Sequence, residues 1–387
     1  MTDWIQHELD AVAARGETRR LAAWPAPGPH LMDAGRRVLN LAGNDYLGLT
    51  AHPSVREAAA RAAREIGPGS TASRLLAGTC AIHEELEAEL AAWKGHPTAL
   101  LFSSGYLAAL GILPLLAGRD DLILADKLAH ACLLDAARLS GAAFHRFRHN
   151  DIHDATRLLE KHRTAHRRTV LVTESIFSMD GDRAPLAELM ELATRFDALF
   201  LVDEAHALGA AGPRGAGLTA DQPESGGRLV TIGTLGKSLA SAGGFVTGRA
   251  DLRELMINRA RSFIFDTAPP PPTAAAALAA LREIAAHPEW TEQLAAKSAR
   301  VRGRLAAAGL GTLNSESHII PVMIGDNDRV LRIAAELKRR DILAAAIRPP
   351  TVPPGTARLR LSISLAHDEA DLDRAIDILI NIVNTCS

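Results

Sequence analysis

Short apolar runs alternate with longer stretches of helical periodicity over the first two-thirds of the chain. The runs 98–102, 122–125, 170–173, 199–202 and 229–232 are apolar almost throughout, and each is followed by Ser, Asp, Glu or Gly. They predict strands buried on both faces. Between them, 82–93, 152–162 and 186–196 carry amphipathic or Ala/Leu-rich helical patterns. This alternation predicts an α/β fold: repeated crossover units that build a mostly parallel sheet with helices on both faces. Ligands of such sheets sit at the carboxyl ends of the strands. The polar residues that follow each run are therefore the ones to inspect.

The pattern changes at Pro269-Pro270-Pro271-Pro272, which an Ala-rich run follows. This reads as a stiff connection and a helix start. Beyond it come two helical stretches, a strand at 319–324, a helix, strands near 342–347 and 358–364, and a last helix. The expected organisation is an N-terminal helix and strand segment over 1–45 that packs with the small domain, a large domain over 46–275, and a smaller C-terminal α/β domain over 276–387.

Composition narrows the function classes. A chain of 387 residues, 47% of them hydrophobic, can bury both cores. With 43 basic and 45 acidic residues, the formal net charge is −2, which does not suit a nucleic-acid binder. Cys80, Cys132 and Cys386 are scattered and odd in number, so no disulfide framework is expected and a reducing cytosol fits. Residues 1–10 include Asp3, Glu8 and Asp10 and do not read as a signal peptide. Stretch 101–118 is broken by Ser103, Ser104 and Pro114, so it does not read as a membrane span. A cytoplasmic protein without membrane or nucleic-acid partners is expected.

Four constellations follow strands. Run 199–202 delivers Asp203, with Glu204-Ala205-His206 after it. A carboxylate at the end of a buried strand is costly unless a positive group meets it, and a protonated pyridine nitrogen is one such group. An Asp after a strand can equally cap a helix. The segment Gly233-Thr234-Leu235-Gly236-Lys237-Ser238, with Gly243-Gly244 beyond, surrounds a lysine with glycines. A phosphate-binding P-loop would need glycine at Thr231, so that pattern fails. A Schiff-base lysine and a solvated loop lysine both remain. Ser103-Ser104-Gly105-Tyr106 opens a helix after run 98–102. It offers either an ordinary cap or an anion site made of free backbone N–H groups. Asp126-Lys127-Leu128-Ala129-His130 places an imidazole on the same edge. Together they supply an aromatic ring, a carboxylate, an anion site and an amine, which is what a phosphorylated pyridine cofactor needs. His145, His149 and His153 recur every four residues, but they straddle a strand end and a loop, so no metal site is expected.

These segments resemble a known family. Asn44-Asp45-Tyr46-Leu47-Gly48-Leu49, Asp126 with His130, Thr173-Glu174-Ser175-Ile176-Phe177-Ser178-Met179-Asp180-Gly181-Asp182, Asp203-Glu204-Ala205-His206 and Gly233-Thr234-Leu235-Gly236-Lys237 are similar to the α-oxoamine synthases, from about Leu39 to the C-terminus. The resemblance implies a fold-type I, aspartate-aminotransferase-like architecture and pyridoxal 5'-phosphate as cofactor. It implies that Lys237 holds the cofactor and acts as general base, that Asp203 keeps the ring nitrogen protonated, and that His130 stacks on the ring. By the same resemblance His206 and Ser178 bond the phenolic oxygen. Thr234 and the Gly105–Tyr106 backbone hold the phosphate, with Thr267 reaching the phosphate of a neighbouring subunit. Asn44 and Arg348 are placed at the amino-acid carboxylate, and Ser73 and Arg20 at the substrate. Arg360, in the strand after Arg348, is the second candidate for the carboxylate. The run Arg348-Pro349-Pro350-Thr351-Val352-Pro353 points within the family to decarboxylative condensation of L-alanine with a pimeloyl thioester, on CoA or an acyl carrier protein. Glycine with acetyl-CoA is the nearer alternative, and a non-catalytic binding subunit of the same fold, against which Lys237 argues, is the more distant one. A homodimer with shared active sites is expected, crossing near Ser262–Phe265 and Thr267.

Overall fold

The computed structural model describes residues 3–221 and 226–385; Cys386 lies outside them. The chain forms two compact units. One takes in Asp45–Ser178 and Arg183–Ala295. The other takes in Met1–Asn44, Met179–Asp182 and Ala296–Ser387. Helix Pro271–Ala286, which starts inside the proline run, belongs to the first.

The large unit is built on a seven-stranded sheet. Its strand order is Thr98–Phe102, Gly244–Gly248, Leu229–Thr234, Leu199–Asp203, Thr169–Glu174, Leu122–Asp126 and Ala143–Phe147. Gly244–Gly248 runs antiparallel to both of its neighbours, and the remaining pairs are parallel. The strands read as unbroken apolar runs because both faces are covered. Alternate residues divide between two cores. Ile123, Val170, Val172, Leu201 and Ile232 pack with helices Gly105–Leu116 and Ala131–Ser140. Leu122, Leu124, Leu171, Phe200 and Val202 pack with helices Ile152–His162 and Leu186–Arg195. Each such side chain contributes about 1.5–3 kcal/mol by leaving water.

Strand Gly244–Gly248 has no counterpart among the runs read from the sequence. Glycine at both ends hides it, since glycine carries no strand preference of its own. Here the glycine is needed for close approach. A Cβ at Gly244 would lie 2.4 Å from the Gly105 backbone nitrogen and 2.5 Å from the Ser104 carbonyl carbon. The bare backbone lets the helix that begins at Gly105 sit directly on the sheet.

The smaller unit holds two three-stranded sheets. Ile319–Gly325, Ala357–Ser362 and Ala345–Ile347 form an antiparallel one. In the other, His30–Asp33 pairs with Arg36–Asn40, which pairs in parallel with Ile342–Leu343. Helices Asn327–Arg339 and Glu369–Thr385 cover them, burying Val330, Ile333, Leu337, Leu372, Ile376 and Leu379. Among the described residues no helix is long and apolar enough to cross a membrane.

Candidate active site

The carboxyl ends of the parallel strands bring most of the sequence candidates together in the large unit. Lys237 sits in the loop between the antiparallel partners Leu229–Thr234 and Gly244–Gly248. That loop is held by Leu235 N–H to Gly243 O (2.9 Å), Ser241 N–H to Leu235 O (2.9 Å) and Ala240 N–H to Lys237 O (2.9 Å). Its Nζ lies 2.8 Å from Nε2 of His206, whose Nδ1 lies 2.7 Å from the Tyr46 hydroxyl. His206 and Tyr46 are buried. When the lysine ammonium donates to Nε2, Nδ1 carries the imidazole proton and the tyrosine oxygen accepts it. His206 thus holds the Lys237 amine, and Tyr46 fixes the tautomer and orientation of the imidazole. Tyr46 was quoted in the sequence motif without a role. Its partner is 160 positions away, so only the folded chain reveals the contact.

Asp203 ends its strand in a dry setting. Its Oδ1 accepts the Ala205 N–H at 2.9 Å, and its Oδ2 lies 4.0 Å from the Cys132 thiol. Among the described residues no cation is within ion-pairing distance. Burial raises its pKa, while Lys237, the Ala205 N–H and His130 pull the other way. Its Oδ1 caps the turn that follows the strand, and that turn opens no helix. His130 caps helix Ala131–Ser140, its Nδ1 accepting the Cys132 N–H at 3.3 Å. His130 is exposed as a residue, yet the protein mass around its ring lowers its pKa, with Asp203 opposing. Cys132 is 3.0 Å from the same ring nitrogen, and its thiol is pushed up by burial and by Asp203. Asp126 fixes the loop that carries His130, accepting from Leu128 N–H at 2.8 Å and Asn150 N–H at 2.9 Å and meeting His149 at 3.0 Å. Ser178 is buried, and its N–H helps to lower the pKa of the Glu174 carboxyl.

Ser104 caps helix Gly105–Leu116, its hydroxyl accepting the Leu107 N–H at 3.1 Å. Gly105 faces Thr234: a Cβ there would come to 3.5 Å from the Thr234 Cβ. The Thr234 hydroxyl donates to Gly243 O at 3.1 Å and accepts from Gly236 N–H at 3.2 Å. Tyr106 turns its hydroxyl to Asp135, leaving its backbone at the helix start. The Ser103 hydroxyl donates to Thr267 O at 3.0 Å, and Thr267 bridges to Ser73. Ser73 and Thr267 are therefore neighbours. Asp266 Oδ2 is buried there without a hydrogen-bond partner.

Within the smaller unit, Asn44 Oδ1 accepts from Nη1 and Nη2 of the buried Arg360 at 3.4 Å each, and Arg360 Nη1 also reaches Ser362 Oγ at 2.8 Å. Arg348 instead donates to Gly16 O. The structure thus joins Asn44 to Arg360 and sends Arg348 to the N-terminal segment. Arg20 is exposed, in a stretch without regular structure.

These groups suit a phosphorylated pyridine aldehyde. A buried carboxylate has no close cation among the described residues, a primary amine is held on an imidazole, and a capped helix start is lined by a glycine and a hydroxyl. The family described as aminotransferase class I and II is matched over residues 36–379. The chain belongs to that family, and within it to the pyridoxal-phosphate-dependent enzymes of the acyl-transferring α-oxoamine synthase type. It is 49% identical over 372 residues to the 8-amino-7-oxononanoate synthase of Anaeromyxobacter dehalogenans (strain 2CP-1), covering 96% of this chain and 93% of that one. A putative 8-amino-7-oxononanoate synthase of Desulforudis audaxviator is 46% identical over 380 residues, with 98% of each chain covered. Among solved structures, the serine palmitoyltransferase of Sphingomonas wittichii superposes with a TM-score of 0.92 at 30% identity, covering 99% of this chain and 97% of that one. The 8-amino-7-oxononanoate synthase of Francisella tularensis superposes with a TM-score of 0.75 at 25% identity, covering 90% and 98%.

Proposed function

We propose that the chain condenses L-alanine with a pimeloyl thioester to give 8-amino-7-oxononanoate, CO2 and a free thiol, a step of biotin synthesis. The observation that carries this is the set formed by Lys237 on His206, Asp203 without a close cation and the glycine-lined helix start, in a chain nearly half identical to synthases of that name. The product named for those relatives fits these substrates. The amino carbon and its methyl are the α- and β-carbons of alanine, and the remaining oxo acid is a seven-carbon dicarboxylic acyl group. Bound pyridoxal phosphate supplies an electron sink for the negative charge left at the amino-acid α-carbon.

The residues divide the remaining work. Lys237 holds the cofactor, then takes the α-proton, with His206 and Tyr46 steadying its amine. Asp203 keeps a proton on the ring nitrogen. His130 covers one ring face, and His206 and Ser178 meet the phenolic oxygen. Thr234 and the Gly105–Tyr106 backbone take the phosphate. The α-carbon then bonds to the thioester carbonyl, the thiolate leaves, and loss of CO2 is followed by proton return from Lys237. The substrate carboxylate goes to Asn44 and an arginine. Arg360 lies on Asn44, whereas Arg348 is the arginine singled out by the sequence. Ser73 and Arg20 are assigned to the acyl substrate. A homodimer completes the site through Thr267, beside which Phe265 is 71% exposed.

Product analysis with alanine or glycine against a panel of acyl thioesters tests the reading. Alanine with a pimeloyl thioester should give the product, whereas turnover confined to glycine with acetyl-CoA would overturn it. Arg360→Lys should raise the alanine requirement more than Arg348→Lys. The reverse order returns the carboxylate to Arg348.

A further inference from the structure

Glu174 ends strand Thr169–Glu174 and stands in register with Asp203 on the adjacent parallel strand. Residues in register on parallel strands send their side chains to the same face. Two carboxyl groups therefore lie side by side at the sheet end, Glu174 being 2% exposed and Asp203 7%. Among the described residues neither has a cation at ion-pairing distance. The Glu174 Oε1 has no hydrogen-bond partner, and the backbone N–H groups of His130 and Ser178 are near enough to lower the pKa of the carboxyl. The titratable groups around it are Asp203, Lys237, Cys132 and His130. Two adjacent carboxylates in a dry site do not both ionise, so the pair retains a proton. Asp203 has the Ala205 N–H and the open side of the site. Glu174 has an orphaned oxygen, which is far cheaper on a neutral acid than on an anion.

We propose that Glu174 is a positioning residue that stays a neutral carboxylic acid, anchors the backbone of His130 and Ser178, and leaves Asp203 as the single charge of the pair. The positioning half rests on the reading that His130, Ser178 and Asp203 hold the cofactor ring. The protonation half does not. Burial and then Asp203 hold the Glu174 carboxyl well above the usual range, outweighing Lys237 and the two N–H groups.

Infrared difference spectra of the cofactor-free protein at neutral pH should show a protonated-carboxyl band that Glu174→Gln removes and Asp203→Asn keeps. Absence of the band in the wild type, or its loss in Asp203→Asn instead, overturns the proposal. Thermodynamic linkage gives a second readout. A carboxyl whose folded pKa is raised stabilises the fold fully below its unfolded pKa, and that contribution is lost as pH rises. The wild-type unfolding constant should therefore climb relative to Glu174→Gln by up to about tenfold per pH unit above pH ~4.3, until the folded pKa is reached. A ratio that is flat or falls with pH refutes the neutral acid. For the positioning half, Glu174→Leu cannot accept from the two N–H groups and should weaken pyridoxal phosphate binding about tenfold or more. Glu174→Gln, whose amide oxygen still accepts, should recover most of that affinity. Wild-type affinity in Glu174→Leu would end the positioning role, whereas a wild type that binds no pyridoxal phosphate would instead refute the cofactor reading.

Discussion

Asp203 and Glu204 are consecutive, both buried, and treated by the fold in opposite ways. Glu204 faces Lys94, and both side chains are fully out of solvent. Lys94 also donates to Ala216 O at 2.6 Å and to Thr219 Oγ1 at 3.1 Å, and Thr219 N–H returns to Glu204 Oε1 at 3.0 Å. Gly217 has no Cβ there because one would lie 2.5 Å from Glu204 Oε1. Every charge on that side is answered from within the chain. On the other side Asp203 has one backbone N–H, a distant thiol and, among the described residues, no cation within ion-pairing distance, although Lys237 and His130 act on it from farther away. A buried ion pair with all its partners is a finished structural element. A buried carboxylate without a close partner has room for a further positive group, and this is what distinguishes the two neighbours.

The largest effect should come from unfinishing the finished side. Lys94→Met strands Glu204 and should cost about 3–5 kcal/mol of stability, read as thermal or denaturant unfolding. Adding Glu204→Leu should restore much of it. A Lys94→Met protein as stable as the wild type would erase the contrast. Next, Asp203→Asn should lower turnover about 10²–10³-fold without costing stability in the cofactor-free protein. The folded pKa of Asp203 is raised, so its contribution to stability is complete below its unfolded pKa and declines as pH rises. The variant should accordingly gain on the wild type with increasing pH, and a loss of stability at neutral pH would mean that Lys237 and His130 already outweigh the burial of Asp203. At the phosphate end, Gly244→Ala should weaken cofactor affinity about tenfold, or ~1.4 kcal/mol, by pushing the start of helix Gly105–Leu116 off the sheet. Unchanged affinity would show that the helix start does not bind the phosphate. Tyr46→Phe should have the smallest effect. It removes one hydrogen bond from His206 at a cost of about 0.5–1.5 kcal/mol, seen as a moderate loss of turnover with the fold intact. A change in cofactor loading alone would show that Tyr46 does not act through Lys237.

How much of this contrast the sequence reveals depends on where each partner lies. The strands were readable because burial on both faces writes itself as unbroken apolar runs, and Asp203, Lys237, His130 and Ser104 follow directly from where those runs stop. Glu204 stood in the same motif as Asp203, but nothing local distinguishes them. The lysine that completes Glu204 is 110 positions away. Glu174 and Tyr46 were hidden for the same reason. Strand Gly244–Gly248 escaped because its identity comes from two neighbours and a close helix rather than from its own side chains. Asn44 pairs with Arg360 rather than Arg348, a matter of side-chain direction that the rigid proline run after Arg348 could not indicate.

The pairing of Arg36–Asn40 with Ile342–Leu343 bears on the order in which the protein can be made. The large unit is complete once Ala295 has emerged from the ribosome, except that the short stretch Met179–Asp182 belongs elsewhere. The N-terminal strands, synthesised first, lack their parallel neighbour until nearly the whole chain exists. At roughly 5–20 residues per second, this leaves the oldest segment of the nascent chain without its edge partner for many seconds. During that interval the unpaired flank of Arg36–Asn40 is open to pairing with the wrong chain.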